Sequence, residues 1–215
     1  TAIAEALQTA HRSGKRLQGD PLVPADQAVA YRVQRRFVAL CGGRGGWKVG
    51  AASPSAPPLR APLPSAWLQQ GDGRLEAAAC AGGLEVELAF CLGQPLPAGP
   101  TYSREQVVAA LASLHVSIEV LASRQPDVPD LHPDAKLADL INHGALIVGA
   151  GSTDWQGLDL LTPAFSVSIS GNPVLDHGAN PAGDPIRLVH WLANSLDPAD
   201  GGLEPGDVVT TGSWI

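Results

Sequence analysis

The chain has 215 residues, 45% of them hydrophobic and 16% charged, with 14 Lys and Arg against 21 Asp and Glu. That length supports one substantial core, or at most two small ones, and one domain with a helical N-terminal part is the simplest reading. The formal charge of −7, with lysine only at positions 15, 48 and 136, argues against a nucleic-acid surface and against docking on anionic membrane. A small-molecule ligand is the expected partner.

No apolar run reaches the length of a membrane span and no signal peptide opens the chain, so a cytoplasmic protein is expected. With no methionine anywhere, the sequence as given is expected not to begin at the translation start. Cys41, Cys80 and Cys91 are spaced for neither a zinc site nor a disulfide framework and read as buried thiols in a reducing compartment.

In chain order, Ile3, Leu7 and Ala10 recur at helical spacing and Gly14 follows as a stop; Val29, Val33, Phe37 and Leu40 repeat the pattern, with Gly42 and Gly43 beyond it. Two helices therefore precede the first strand signal, Trp47-Lys48-Val49-Gly50. The proline-rich stretch from Ser53 to Ser65 reads as a lid or surface belt without lasting regular structure. A strand from Leu84 to Cys91 follows. Ser103 and Gln106 match a capping box for a helix to about Leu114, which feeds a strand around Glu119. Arg124 to Asp134 reads as a loop, Ala145 to Gly149 as a short apolar strand, and Phe165 to Ser170 with Gly171-Asn172 as a hairpin. Asp184-Pro185 starts a helix to about Leu196, and Pro205-Gly206-Asp207 turns into a last strand, Val208 to Gly212. Helices first and strands later, without steady βαβ alternation, predict an α+β fold: an N-terminal helical segment over residues 1–45 and a β-rich core over 46–215. The glycines at 42, 43, 45 and 46 lie before a strand, not between strand and helix, so no nucleotide fingerprint is present.

Chemistry concentrates in three glutamates. Side chains alternate along a strand, so Glu85 and Glu87 share one face while Leu84, Val86 and Leu88 take the other; Glu119 likewise opposes Val116, Ile118 and Val120. Two readings stand. The acidic faces are solvated, as strand-borne carboxylates usually are, or the strands converge and three like charges require a hard divalent cation, Mg²⁺ or Mn²⁺. Lys48, flanked by Trp47 and Val49, either snorkels outward or is held beside a negative group with a tunable pKa. His115 shares a face with Ser117 and Glu119 if that strand begins early enough; His177 and His190 have structural roles by default. Asp139 and Asn142 are active-site polar groups, or a cap and a turn residue. The Thr210-Thr211-Gly212-Ser213 corner could hold a carboxylate through hydroxyl and N–H donors, or be an ordinary turn.

Taken in order, Ala30-Tyr31-Arg32-Val33-Gln34, Gly46-Trp47-Lys48-Val49-Gly50, Leu84-Glu85-Val86-Glu87-Leu88-Ala89-Phe90, Ile118-Glu119-Val120-Leu121-Ala122-Ser123-Arg124, Trp191-Leu192-Ala193-Asn194 and Gly206-Asp207-Val208-Val209-Thr210-Thr211-Gly212 resemble one family over nearly the whole chain. It is the hydratase and decarboxylase branch of the fumarylacetoacetate hydrolase superfamily, typified by 2-hydroxypenta-2,4-dienoate hydratase and 4-oxalocrotonate decarboxylase. The resemblance implies a mixed β-roll core, and one Mg²⁺ or Mn²⁺ ion on Glu85, Glu87 and Glu119. It also implies Lys48 facing the substrate as proton-transfer or electrostatic partner, Asp139 as a further catalytic candidate, and Thr211 and Gly212 at the substrate carboxylate. The substrates implied are small 2-oxo or 2-hydroxydienoic acids from meta-cleavage of aromatic compounds, handled by a homo-oligomer that can associate with a sequential pathway enzyme. Three departures mark this chain: Ala61 to Trp67 carries no acidic residue where hydratases of the branch have one, Gly83 stands two before the first metal ligand where the family often has arginine or another polar group, and the family pattern runs on beyond Ile215. Hydration is the leading expectation. Decarboxylation, acylpyruvate C–C hydrolysis with His115 as base, and a non-catalytic partner subunit are the alternatives.

Overall fold

The computed structural model describes residues 1–74, 82–175 and 178–214. Cys80 and His177 lie outside the described residues.

Helix α1 (Ala2–Ser13) is capped by the Thr1 side chain and closed by Gly14 at φ 65°, a left-handed conformation that glycine adopts without steric cost. Helix α2 (Gln27–Leu40) starts where the Asp26 carboxylate accepts the Val29 N–H at 2.7 Å. Their apolar stripes, with Leu7, Val33 and Phe37 fully buried, meet each other and Trp67, Leu137 and Leu140 in one core cluster.

Strands β1 (Arg44–Gly50), β2 (Leu59–Pro64), β3 (Leu68–Gln70), β4 (Leu84–Leu92), β5 (Leu111–Leu121), β6 (His143–Ser152) and β9 (Val208–Ser213) form one sheet in the order β2-β1-β9-β4-β5-β6-β3. The β1–β9 and β3–β6 pairs are parallel and the others antiparallel. The two edge strands, β2 and β3, are joined only by the short helical turn Ser65–Trp67. Laid flat, seven strands would hold those edges ~29 Å apart, whereas the link reaches at most ~15 Å. The sheet therefore curls until its edges approach, which is the expected mixed β-roll. Helices α3 (Arg104–Ala110) and α5 (Pro185–Ser195) cover part of its outer face, burying Trp47, Phe90, Leu188, Leu192 and Val209. Strands β7 (Val167–Ile169) and β8 (Asn172–Leu175) make the separate hairpin at Ser170-Gly171.

Three elements differ from expectation. The proline-rich stretch contains β2, because an edge strand tolerates prolines whose missing N–H faces no partner. Helix α3 keeps its capping box but ends at Ala110, since Leu111 and Ser113 are drawn into the ladder opposite Leu92 and Cys91. His115 thus lies well inside β5. Residues 133–138 form α4 (Pro133–Ala138), with Pro133 at its first turn and His132 as cap.

Candidate metal and active site

In the β4–β5 ladder Glu85 stands opposite Glu119, and Glu87 opposite Ser117. The alternation is as read from sequence, but the curl decides which side is inside. Glu87 and Glu119 are 1% and 0% exposed and Glu85 is half-buried, whereas Leu84, Val116 and Ile118 on the other side are 49%, 58% and 37% exposed. The acidic side faces inward, and the three residues offer ligand oxygens all within 4.8 Å of one another.

Lys48 enters from β1. Its Nζ donates to Glu119 Oε1 at 2.6 Å and to the Ile141 carbonyl at 3.4 Å. Burial works to depress the ammonium's pKa, but the carboxylates of Glu119, Glu87 and Glu85 outweigh it, and the pKa lies above lysine's ordinary value. From the start of β6, His143 Nδ1 lies 2.9 Å from the same Glu119 Oε1, its ring fully buried and stacked on Trp67 at 5.8 Å. Burial raises the Glu119 pKa, but Lys48 and His143 overcome this and hold the carboxyl down at about 2. Glu87 goes the other way. Burial and the Glu119 charge push it up to about 8, against the pull of Lys48 and of the Thr210 hydroxyl that donates to Glu87 Oε2.

The donor set fits a hard divalent cation. Among the described residues, the buried oxygens Glu87 Oε1 and Glu119 Oε2 have no hydrogen-bond partner, a costly state for a buried carboxylate unless something positive meets it. All-oxygen donors of this kind suit Mg²⁺, Mn²⁺ or Ca²⁺.

The other predicted residues are placed as follows. Asp139, fully buried at the end of α4, accepts from Arg124 Nε at 2.5 Å, from the Arg124 backbone N–H at 2.7 Å and from Ser123 Oγ at 3.1 Å, so its carboxylate is committed away from the glutamates. Arg124 also donates to the carbonyls of Asp139 at 2.8 Å and His143 at 2.5 Å. Between them Leu140, Ile141 and Asn142 run left-handed at φ 55°, 54° and 60°. For Leu140 and Ile141 this costs about 1–2 kcal/mol each, so the Arg124 fork holds both ends of a strained turn. The hydroxyl at the carboxylates is that of Thr210; the Thr211 hydroxyl donates to the Leu88 carbonyl at 2.7 Å. Gly212 adopts φ 85°, and its carbonyl and that of Thr211 accept from the Asn180 amide. His115 is spent on Ser113 Oγ at 2.8 Å and the Gly149 carbonyl at 2.9 Å, and His190 on the Tyr102 carbonyl at 2.8 Å.

Sequence reasoning passed over His143, which reads as a turn residue in Asn142-His143-Gly144. Its one signal is a histidine opening an apolar strand. Arg124 entered only as the end of a motif, because its partners come from α4 and β6, which local patterning did not connect.

No protein-family model matches the chain. Among characterised proteins it is 34% identical to the 2-hydroxyhexa-2,4-dienoate hydratase of Comamonas testosteroni, over 60% of this chain and 48% of that one. The match to that hydratase thus spans about half of its length. The 2-oxo-hept-4-ene-1,7-dioate hydratase of Escherichia coli is 28% identical, over 100% of this chain and 87% of the relative. Among solved structures, 4-oxalocrotonate decarboxylase from Pseudomonas putida G7, complexed with magnesium and adipate, superposes with a TM-score of 0.77 at 20% identity, covering 99% of this chain and 86% of that one. The chain is thus similar in sequence to dienoate hydratases and shares its rolled fold with 4-oxalocrotonate decarboxylase and, at a TM-score of 0.53, with a fumarylacetoacetate hydrolase family protein from Yersinia pestis CO92.

Proposed function

We propose that this protein is a divalent-metal-dependent lyase acting on small 2-oxo or 2-hydroxydienoic acids, a hydratase of the 2-keto-4-pentenoate type in meta-cleavage degradation of aromatic compounds. The observation that carries the reading is the inward trio of half-buried Glu85 and buried Glu87 and Glu119, with two carboxylate oxygens lacking any donor among the described residues and the Lys48 ammonium against Glu119. These three residues would hold Mg²⁺ or Mn²⁺, which when bound supplies a Lewis acid for the vicinal carboxylate and 2-oxygen of such a substrate. Lys48, 2.6 Å from Glu119 and beside the same carboxylates, serves as the electrostatic and proton-transfer partner at Nζ. Thr210 steadies Glu87, and Gly212, supported by Thr211 on the Leu88 carbonyl, is assigned to the substrate carboxylate end. Asp139 acts through Arg124 on the turn that presents the Ile141 carbonyl to Lys48.

Among the described residues no helix is long and apolar enough to cross a membrane. We further propose a cytoplasmic homo-oligomer that can meet a sequential pathway enzyme. C–C hydrolysis is not favoured, because both His115 ring nitrogens are engaged with Ser113 and Gly149. The test follows the ultraviolet absorbance of a 2-hydroxydienoate with and without Mg²⁺ or Mn²⁺, with CO₂ release from an oxalocrotonate assayed in parallel. Loss of the dienoate chromophore only with metal, and little CO₂, is expected. Metal-independent turnover, or full activity in Glu85→Gln, overturns the reading.

A further inference from the structure

Glu119 is asymmetric. Its Oε1 accepts from Lys48 at 2.6 Å and from His143 at 2.9 Å, while the equally buried Oε2 accepts from nothing among the described residues. A carboxylate of this kind is acceptor-only, so the ring atom facing it, Nδ1, must carry the hydrogen. Two donors fixed on one oxygen set the carboxylate plane and leave the other oxygen free. Of the two, Lys48 is a flexible ammonium on a long stem that also reaches the Ile141 carbonyl. His143 is rigid: its ring is fully buried and lies against Trp67 at an interplanar angle of 24°. Its backbone is held as well, because Arg124 grips the His143 carbonyl at one end of the left-handed turn and the Asp139 carbonyl at the other.

We propose that His143 is a positioning residue for the metal site, its Nδ1–H orienting Glu119 so that Oε2 is presented as the ligand atom. The inference rests on the metal reading above and adds to it the group that turns one of the three carboxylates into a directed donor. Outer-shell partners of ligand carboxylates act in this way, and removing one lowers metal affinity about 10- to 100-fold.

The discriminating variants are His143→Asn and His143→Gln. The asparagine amide nitrogen falls near the place of Nδ1, whereas that of glutamine falls near Nε2, away from Glu119. Both are polar and smaller than histidine, so a merely structural role affects them alike. Mn²⁺ binding to the full chain is measured by electron paramagnetic resonance, with thermal melts to verify folding. Wild type is expected to bind Mn²⁺, His143→Asn to keep most of that affinity, and His143→Gln to lose about 10- to 100-fold. Wild-type affinity in folded His143→Gln, or equal weakening in both variants, overturns the role of His143 while leaving the metal site standing. No Mn²⁺ binding by wild type overturns the metal reading and this inference with it.

Discussion

Lys48 and Glu119 touch at 2.6 Å although two strands, β9 and β4, separate theirs in the sheet. On a flat sheet the strands would lie ~14 Å apart, so the contact exists because the roll brings inward-facing side chains together across its interior. The pair is almost fully buried, and among the described residues neither partner has another full charge of opposite sign within bonding distance. Lys48→Met should therefore destabilise the metal-free protein by about 3–5 kcal/mol, the usual cost of stripping a buried charge of its partner, and should abolish turnover. Added Mg²⁺ should recover part of the stability and none of the activity. Denaturant melts with and without Mg²⁺, alongside the dienoate assay, check both halves.

Glu85 faces Glu119 directly across the ladder, a like-charge pairing that opposes folding. In the presence of a chelator, Glu85→Gln should stabilise the protein by about 0.2–1 kcal/mol. With saturating Mg²⁺ the order should reverse, because wild type gains binding energy that the variant lacks. A pair of melting curves for each protein, with chelator and with metal, reads the sign change.

Glu87 carries the pH dependence. Its carboxyl sits at about 8 in the metal-free fold against an ordinary value of 4.5, so between those values the folded protein holds a proton that the unfolded chain has released. Stability of the metal-free protein should fall as pH rises through that window. Metal requires the carboxylate, so affinity should climb with pH and level off above about 8. Thr210→Val removes the hydroxyl that favours the charged form and should move the levelling point higher. Mn²⁺ titrations from about pH 6 to about pH 9 measure it.

His11 offers an independent pH signal away from the carboxylates. Its ring lies on Trp67 with centroids 4.1 Å apart, and burial, then the nearby Arg124 charge, lowers its pKa from 6.5 to about 4. The unfolded chain binds the proton first as pH falls, so this contribution to stability should be lost between those two values and be constant below. In His11→Phe that component of the pH–stability profile should disappear.

The period of two at residues 84–90 and 116–120 was enough to place the glutamates on common strand faces, and the capping signals at Ser103 and Asp184 located two helix starts. Which face was inside was not legible, because that depends on the closure of the sheet. A row of valines and isoleucines beside glutamates ordinarily means apolar inside; here Val116 and Ile118 are exposed and Glu119 is not. Strand β2 was hidden by prolines that only an edge position permits. His143 and Arg124 were obscure for a related reason: each is ordinary in its own segment and acquires its partners only through the fold.

The closure itself depends on very little chain. Residues 65–67 tie one border of the sheet to the other, so the length of that tie limits how far the roll can open. One residue inserted there would slacken the bore, letting Lys48 and the glutamates drift apart with every one of them still present. The most sensitive dimension of the metal site thus belongs to a stretch that supplies none of its ligands.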